Sequence, residues 1–361
     1  MRFLLLIITL LGINILNAQQ LALYNDYLNK VQLFDGGKFQ EIEHLPLISY
    51  QIGNNAIGYE DNSSNFKVYH NHYVFNVSDF VSDYLVTDNL IVFNLNNQLK
   101  VFDNGDTKTL AIHAGEYRIG DELVAFYDNQ KYLLNVYYGG EIIPLDDVLA
   151  SEAEPEFIAG ENTLVYKDAQ GYLHIFYQGE LFELLYAERA KKYKAGRDIV
   201  AFVETPVDNF QAFYRGEFFQ LEDFEPKSFQ MGDGFVAYID SNDYLKLFDG
   251  TETKTISFDA PKKYDVTDEL IVFQVQNYFK VHWRGKTYTL ESHIPESYKM
   301  DQNILAYIDE QGYLKVFDRG TKQILNFEEI NKYHCHGNTV FYNYGVNSND
   351  IYFDGEIYSG D

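Results

Sequence analysis

Residues 270–290, LIVFQVQNYFKVHWRGKTYTL, contain the pattern that decides the fold. An apolar run over residues 270–273 ends in Phe273, and a second run over 279–282 alternates apolar and polar residues. Short runs rich in β-branched and aromatic residues, without helical spacing, predict β-strands. Gly285 then precedes a third run, and glycine supplies the positive φ of a tight hairpin. The second and third runs are therefore predicted to be antiparallel neighbours.

The same pattern occurs ten times along the chain. The aromatic residues that close the first run are spaced by 33 to 40 residues: Tyr24, Tyr59, Phe93, Phe126, Tyr166, Phe202, Tyr238, Phe273, Tyr307 and Tyr342. A period near 35 residues indicates a repeat architecture, in which each unit buries its apolar faces against its neighbours. The hairpin glycine is present in nine units, and the second unit has Asn71-His72 there, which is tolerable because Asn also adopts positive φ.

Each unit offers three clear strands, preceded by a short segment such as 192–196 (KYKAG). Four antiparallel strands in about 35 residues are typical of a small propeller blade, and radial repetition of blades protects the edges of the sheets. The predicted fold class is all-β, a β-propeller built from about ten tandem antiparallel units of three to four short strands. Common propellers have about four to eight blades. Ten units exceed this number, so the chain forms one unusually large ring, some units merge into one blade, or two smaller rings share the chain.

The pattern resembles propeller families whose repeats combine an aromatic inner strand with a glycine-ended hairpin. The resemblance spans the whole chain after its N-terminal segment and implies the propeller fold. The Trp-Asp pair typical of WD40 blades is missing, and Trp283 is the only tryptophan. Functional residues of those families therefore do not carry over to this chain.

The N-terminal residues predict export. Met1-Arg2 begins the chain with a positive charge, and residues 3–16 are almost entirely apolar, which is typical of a secretory signal peptide. We assign residues 1–18 to the signal peptide and 19–361 to a single repeat domain. The first unit lacks the short segment that precedes the later units, and the last ends at Tyr358. We expect the first and last units to pack side by side and close the ring.

Composition restricts the partners. The formal net charge is -26, and so acidic a surface repels nucleic acids and anionic lipids. We therefore predict no nucleic-acid partner and no membrane insertion, and we place the protein in the periplasm or at the cell surface. Cys335 is the single cysteine, so no disulfide framework can form.

No local catalytic motif is present. The sequence contains no Gly-x-Ser-x-Gly elbow, no His-Glu-x-x-His pair and no phosphate or dinucleotide loop, and no cofactor is predicted. His334 and His336 would face the same way on a strand and are weak candidates for metal ligands, whereas Cys335 would point the other way. A chance cluster is the favoured interpretation of this pair.

Two oppositely charged segments lie one unit apart. The acidic segment covers residues 146–156, and the basic residues are Arg189, Lys191, Lys192, Lys194 and Arg197. Equivalent loops of adjacent blades emerge on the same side, so we interpret these charges as an intramolecular pairing of small energy. Contact of Arg189, Lys191, Lys192 or Lys194 with a partner is the alternative.

Aromatic residues make up 17% of the chain, and most of them occupy strand positions. Six tyrosines fall outside the regular positions and suit sugar stacking or a protein interface if exposed. They are Tyr73, Tyr127, Tyr138, Tyr177, Tyr214 and Tyr278.

Three functions follow from these observations. The leading hypothesis is a non-enzymatic, exported scaffold that binds a protein partner, one version being an accessory or plug subunit of an outer-membrane secretion channel. The first alternative is a propeller lectin with one shallow glycan site per repeat. The second is a hydrolase or lyase, which requires carboxylates that converge on the ring axis.

Overall fold

The computed structural model describes residues 20–145, 156–168, 171–183 and 189–360, apart from the side chain of Arg189. The predicted signal peptide and most of the acidic segment, residues 146–155, lie outside these ranges. Over the described residues the secondary structure consists of strands and turns, with 39 strands in ten antiparallel sheets. None of these residues belongs to a helix that could cross a membrane.

The strands are numbered in chain order, and each sheet forms one blade. Blade 1 contains β1 (Leu21–Asn25), β2 (Val31–Asp35) and β3 (Lys38–Glu43), and blade 2 contains β4 (Ser49–Ile52), β5 (Ala56–Glu60), β6 (Phe66–His70) and β7 (Tyr73–Ser78). Blade 3 contains β8 (Asp83–Val86), β9 (Leu90–Leu95), β10 (Gln98–Asp103) and β11 (Asp106–Ala111), and blade 4 contains β12 (Ala114–Ile119), β13 (Leu123–Asp128), β14 (Leu133–Tyr138) and β15 (Glu141–Pro144). Blade 5 contains β16 (Phe157–Ala159), β17 (Thr163–Lys167), β18 (Leu173–Tyr177) and β19 (Glu180–Glu183), and blade 6 contains β20 (Arg189–Ala195), β21 (Ile199–Thr205), β22 (Phe210–Tyr214) and β23 (Glu217–Glu222).

The remaining blades follow the same order. Blade 7 contains β24 (Ser228–Gly232), β25 (Phe235–Ile239), β26 (Leu245–Phe248) and β27 (Thr253–Ser257), and blade 8 contains β28 (Lys263–Val266), β29 (Leu270–Val275), β30 (Tyr278–Trp283) and β31 (Lys286–Glu291). Blade 9 contains β32 (Ser297–Asp301), β33 (Ile304–Ile308), β34 (Leu314–Asp318) and β35 (Thr321–Asn326), and blade 10 contains β36 (Ile330–His336), β37 (Thr339–Tyr344), β38 (Ser348–Phe353) and β39 (Glu356–Gly360).

Within a blade we call the strands a, b, c and d from the ring axis outward. Blades 2 to 10 have all four, and in the described part of blade 1 strands b, c and d are present. Strands a of neighbouring blades contact one another, as β4 contacts β8 and β32 contacts β36. The ten sequence units are thus ten blades of one ring, and neither merged units nor two rings are found.

The ring closes between blades 10 and 1. Tyr24 of blade 1 stacks on Phe341 of blade 10, with the ring centroids 5.6 Å apart and an interplanar angle of 27°. Phe34 and Ile351 belong to the same buried cluster. The predicted side-by-side packing of the first and last units is therefore present.

Strands b are apolar on both faces because they lie between two neighbouring blades. In β29, Leu270 and Val272 pack towards blade 9, whereas Ile271 and Phe273 pack towards blade 7. All four side chains are buried. Successive side chains of strand b thus point alternately into the interfaces with the two neighbouring blades. Because both interfaces are apolar, nearly every residue of the run is apolar.

The glycine that ends many strands a is required by a close approach between blades. A Cβ atom at Gly53 would lie 1.9 Å from the backbone oxygen of Thr87, and one at Gly120 would lie 2.0 Å from that of Gly160. No side chain fits at such distances. Glycine at the end of strand a therefore allows the innermost strands of neighbouring blades to pack directly against each other.

The lysine of strand c has a repeated role. Lys246 lies 2.7 Å from Glu222 of the preceding blade and 3.0 Å from Asp240 of its own blade. Tyr238 donates to the same Glu222 carboxylate at 2.8 Å. Blades 2 and 9 repeat this network with other residues: Lys67, Glu43, Asp61 and Tyr59, and Lys315, Glu291, Asp309 and Tyr307. This lysine therefore links adjacent blades.

The blade geometry defines two faces of the ring. The loops between strands a and b and the turns between strands c and d emerge on one side, which we call the hairpin face. The turns between strands b and c and the connections to the next blade emerge on the other side, which we call the connection face.

Candidate functional site

The loops between strands a and b bring charged residues from many blades to the ring axis. In blades 2 to 10 the loop residue one or two positions after strand a is polar or charged: Asn54, Asp88, Asp121, Glu161, Arg197, Asp233, Asp268, Gln302 and Asn338. Gln302 of blade 9 donates to Asp88 of blade 3 at 3.1 Å, so the loops meet across the ring. We call Asp88, Asp121, Glu161, Arg197, Asp233 and Asp268 the axial cluster.

Arg197 is the cation of the axial cluster. Its guanidinium lies 2.6 Å from Asp121, 2.6 Å from Glu161 and 3.4 Å from Asp233. These carboxylates come from blades 4, 5 and 7, so one arginine links four blades. It also contacts Glu122 at 2.9 Å. One positive charge is thus shared among several carboxylates.

Burial raises the pKa of every carboxyl group in the axial cluster. Burial and the neighbouring Asp88 raise the pKa of Asp121 to about 6, and burial and the carboxylates of Asp233 and Asp301 raise that of Asp268 to about 7. The pKa values of Asp88, Glu161 and Asp233 are raised for the same main reason, loss of hydration. The cluster therefore holds protons in a pH range where exposed carboxylates are ionised.

Three members of the cluster approach one another closely. Carboxylate oxygens of Glu161, Asp233 and Asp268 lie within 4.8 Å of one another. Such a group can share protons, bind a cation, or take part in acid-base chemistry. Arg197 already neutralises the Glu161 and Asp233 side, and no ion pair to Asp268 occurs within the described part of the chain.

Sequence reasoning missed this cluster. Asp88 and Asp268 look like ordinary turn residues in their own units, and Arg197 was assigned only to a basic segment. The available signal was their common position, one or two residues after strand a in successive repeats. That position predicts a shared location only once the ring and its inner strand are known.

The connection face has a different character, because it exposes large apolar side chains. Each of the seven blade connections that the structure describes in full carries at least one, with 36 to 73% of its surface exposed: Leu45, Ile48, Phe80, Ile112, Phe224, Phe258, Ile294 and Phe327. Turns between strands b and c add Tyr27, Leu28, Tyr132, Tyr172, Val207 and Val346. Among the described residues, no large apolar side chain of similar exposure lies in an a–b loop or a c–d turn.

Comparison with known proteins identifies the fold family. A family model described as "10-bladed beta propeller domain" matches residues 15–358. The chain belongs to this family. No curated protein matches the sequence. The family assignment agrees with the ten blades of the ring and names no activity.

Solved structures that are similar to this ten-bladed propeller share little sequence with it. The computationally designed Ika8 protein is 15% identical, with a TM-score of 0.36, over 76% of this chain and 96% of that one. The CRINKLY WD40 ectodomain of the Arabidopsis thaliana receptor kinase ACR4 is 10% identical, with a TM-score of 0.36, over 68% and 99%. The tricorn protease is 9% identical, with a TM-score of 0.32, over 92% and 46%.

His334 and His336 lie on β36 and line one cavity together with Tyr50, Gln51 and Ile52 of blade 2. Burial and the nearby His336 lower the pKa of His334 to about 4. Cys335 points the other way and donates to the backbone oxygen of Lys299 at 3.3 Å. In the ranges that the structure describes, no third His, Cys, Asp or Glu completes a metal-binding group with the two histidines.

The basic segment of blade 6 is held by intramolecular contacts. Lys191 lies 2.8 Å from Asp208 and 2.5 Å from Glu225, and Lys192 lies 2.5 Å from the same Glu225. Lys194 donates to the backbone oxygen of Phe229 at 2.8 Å. The side chain of Arg189 and residues 146–155 lie outside the described part, so the expected pairing with the acidic segment stays a prediction.

The six tyrosines singled out in the sequence do not share one environment. Tyr73 and Tyr278 are exposed, Tyr177 is buried, and Tyr127, Tyr138 and Tyr214 are half-buried. Tyr73 begins strand d of blade 2, whereas Tyr278 begins strand c of blade 8. The two exposed rings therefore occupy different positions of the repeat, and no specific observation favours one glycan site per blade.

Proposed function

We propose that this protein is an exported, non-enzymatic scaffold that binds a protein partner through its connection face. The observation that carries the proposal is the exposed apolar side chain in each fully described blade connection. Large aromatic side chains, of which four lie in these connections, dominate the binding energy of protein interfaces. The signal-peptide pattern and the acidic composition support a soluble protein in the periplasm or at the cell surface.

Two of these apolar groups are held in place by their neighbours. The Phe258 ring packs against Tyr244 with centroids 5.4 Å apart, and Phe327 packs against Tyr313 at 5.2 Å. The same arrangement thus recurs in blades 7 and 9. An exposed aromatic ring that is already oriented loses little conformational entropy on binding.

The test compares two sets of serine variants in capture experiments from envelope extract. The first set is Phe224→Ser, Phe258→Ser and Phe327→Ser together, on the connection face. The matched control is Tyr73→Ser, Phe218→Ser and Ile357→Ser, whose side chains are exposed on the outer strands d. We expect the wild type and the control to enrich the same protein, and the connection-face variant to lose it.

Failure of the wild type to enrich any protein, or full retention of that protein by the connection-face variant, would refute the proposal.

Mass spectrometry of the protein from cell fractions tests export, for which we expect cleavage after Ala18 or Gln19. The version in which the chain serves a secretion channel as an accessory or plug subunit predicts co-purification with an outer-membrane channel protein.

A hydrolase or lyase is the second candidate, and the axial cluster favours it. A protonated carboxyl group beside an ionised one is the usual arrangement for acid-base catalysis, and Glu161 lies within 4.8 Å of Asp268. Activity on a panel of chromogenic glycosides and esters, abolished by both Glu161→Gln and Asp268→Asn, would establish it. Activity that survives both substitutions would place the reaction elsewhere.

A further inference from the structure

One position of the repeat changes character in blade 8 alone. The last residue of the four-residue run that is residues 279–282 in strand c of blade 8 is a buried Phe or Tyr in the other nine blades: Phe34, Tyr69, Phe102, Tyr137, Phe176, Phe213, Phe248, Phe317 and Tyr352. In blade 8 the residue is His282, which is also buried, with 6% of its surface exposed. A smaller, polar ring thus replaces an aromatic ring that fills the space between blades elsewhere.

A cavity of about 460 Å³ lies at this point, between blades 7 and 8 on the hairpin face. Leu247 and Ile271 supply apolar walls, His282 forms part of the lining, and Asp233 and Asp268 of the axial cluster reach it from the inner side. The volume falls in the range of small-molecule sites, which combine apolar walls with a few convergent polar groups.

His282 lines the cavity and carries a buried hydrogen-bonding atom without a partner. Its Nδ1 atom lies 2.9 Å from Oγ1 of Thr287 on the adjacent strand, whereas its buried Nε2 atom has no hydrogen-bond partner among the described residues. Burial and the nearby Lys254 lower the pKa of His282, so the imidazole is neutral. In either tautomer of the neutral imidazole, Nε2 can form one hydrogen bond that the described residues do not supply.

The charges around the cavity leave one carboxylate without a cation. Lys254 is paired with Asp249 at 2.9 Å and with Glu252 at 2.8 Å, and Arg284 is paired with Glu269 at 3.2 Å. Within the described residues no lysine, arginine or histidine forms an ion pair with Asp268. A ligand group that pairs with Asp268 at the inner end of the cavity therefore needs a positive charge.

We propose that this cavity binds an organic cation, a protonated amine carried on an apolar chain or ring. The ammonium group lies against Asp233 and Asp268, and the apolar body lies between Leu247 and Ile271. A free amine and a lysine side chain of another protein present the same chemistry. The proposal does not depend on the connection face.

Trp283 offers a readout, because it is the only tryptophan and contacts two residues that line the cavity. Its indole donates to Glu269 at 3.0 Å, and the Arg284 guanidinium lies 4.9 Å from its ring. Glu269 and Arg284 both line the cavity. A ligand that enters should therefore change the tryptophan emission.

The experiment titrates the full protein with n-hexylamine hydrochloride and follows the emission of Trp283. The matched probes are 1-hexanol, which lacks the charge, and sodium hexanoate, which reverses it. We expect a saturable response to hexylammonium and a response at least about tenfold weaker to hexanol, since losing one ion pair of about 1.4 kcal/mol lowers the affinity tenfold. Equal responses to hexylammonium and hexanol would overturn the proposal.

Two variants separate binding from folding. His282→Phe restores the aromatic residue of the other nine blades and fills the cavity, so we expect a melting temperature at or above that of the wild type and loss of the hexylammonium response. Asp268→Asn keeps the shape and removes the charge, so we expect about tenfold weaker binding. An unchanged response in either variant would overturn the proposal.

Two further arms distinguish the source and the kind of cation. Binding of acetyl-Leu-Lys-amide, but not of acetyl-Leu-norleucine-amide, would assign the site to a lysine side chain, whereas binding of hexylammonium alone would assign it to a free amine. Calcium chloride provides the metal arm. A saturable response to Ca²⁺ without one to hexylammonium would overturn the proposal in favour of a metal site.

Discussion

Carboxylates near the two faces of this ring experience opposite electrostatic conditions. Towards the connection face, Asp61, Asp240 and Asp309 each pair with a lysine of strand c, and hydrogen bonds and that lysine hold their pKa values low despite burial. In the axial cluster, carboxylates of different blades face one another around Arg197, and their pKa values are raised. In blades 2, 7 and 9 the repeat supplies a lysine for each of these carboxylates, whereas convergence at the axis brings together more carboxylates than Arg197 alone can neutralise.

The faces also differ in what they offer to a ligand. The connection face exposes apolar rings such as Phe224 and Phe258, at 68 and 73%, whereas the hairpin face presents the axial cluster and the cavity beside His282. Apolar rings suit a protein surface, and a buried carboxylate suits a cation. One scaffold thus provides two surfaces with separate chemistry.

The largest expected effect comes from removing the cation of the axial cluster. Arg197→Met leaves Asp121, Glu161 and Asp233 without their counter-ion, so we expect the free energy of unfolding to fall by about 3–5 kcal/mol at pH 7.5. Arg215→Met is the control, because Arg215 is exposed and its partner Asp198 retains Asn162 and Tyr177. We expect a loss below about 1 kcal/mol there. Equal losses of stability in the two variants, measured by thermal denaturation, would show that the axial charges are well hydrated.

The pH dependence of stability separates the two groups of carboxylates. The folded pKa of Asp268 is raised, so its contribution is fully present below the unfolded pKa near 4 and is lost as the pH rises towards 7. We expect the melting temperature to fall between pH 5 and pH 8, and Asp268→Asn to flatten this slope, by roughly 2 kcal/mol in stability. An unchanged slope in the variant would contradict the raised pKa.

The connection-side carboxylates titrate in the opposite sense. The folded pKa of Asp240 is lowered, so its contribution is present above pH 4 and is lost as the pH falls below that value. Lys246→Met removes the partner of Asp240 and Glu222, and we expect a loss of about 1–3 kcal/mol. Lys254→Met, at an exposed lysine, serves as the control. Equal losses in denaturant unfolding would argue against the repeated lysine network.

The smallest effect on stability is expected at the apolar surface itself. Phe258→Ser removes an exposed ring that contacts Tyr244, so we expect a stability loss below about 1 kcal/mol. Binding of an apolar fluorescent dye should decrease at the same time, because the exposed ring is gone. A large stability loss would mean that Phe258 belongs to the core and not to a binding surface.

The fold was predictable to a large extent from sequence. The run Leu270–Phe273 predicted a strand covered on both sides, and the turn at Gly285 predicted its hairpin, because both signals are local. The packing of the first unit against the last was predicted from the incomplete end units, and the stacking of Tyr24 on Phe341 confirms it. The number of rings could not be predicted from sequence, since ten equal units can form one large ring or two smaller ones.

The candidate sites were much less predictable. Asp88 and Gln302 lie 214 residues apart in sequence and touch across the ring, and no local pattern predicts that contact. The role of Arg197 depends on four blades at once. His282 was visible in the sequence as a polar residue among apolar ones, but its meaning requires the cavity that it lines.

By itself, the sequence determined the repeat, its strands and its turns, because apolar alternation and glycine placement act over a few residues. Tertiary structure alone decided which charges meet at the axis, which apolar rings share a face, and where the space beside His282 opens. Those properties depend on ring closure, which brings together atoms that the chain separates by whole blades. Local preferences act within one repeat, whereas burial and electrostatic interaction act through space.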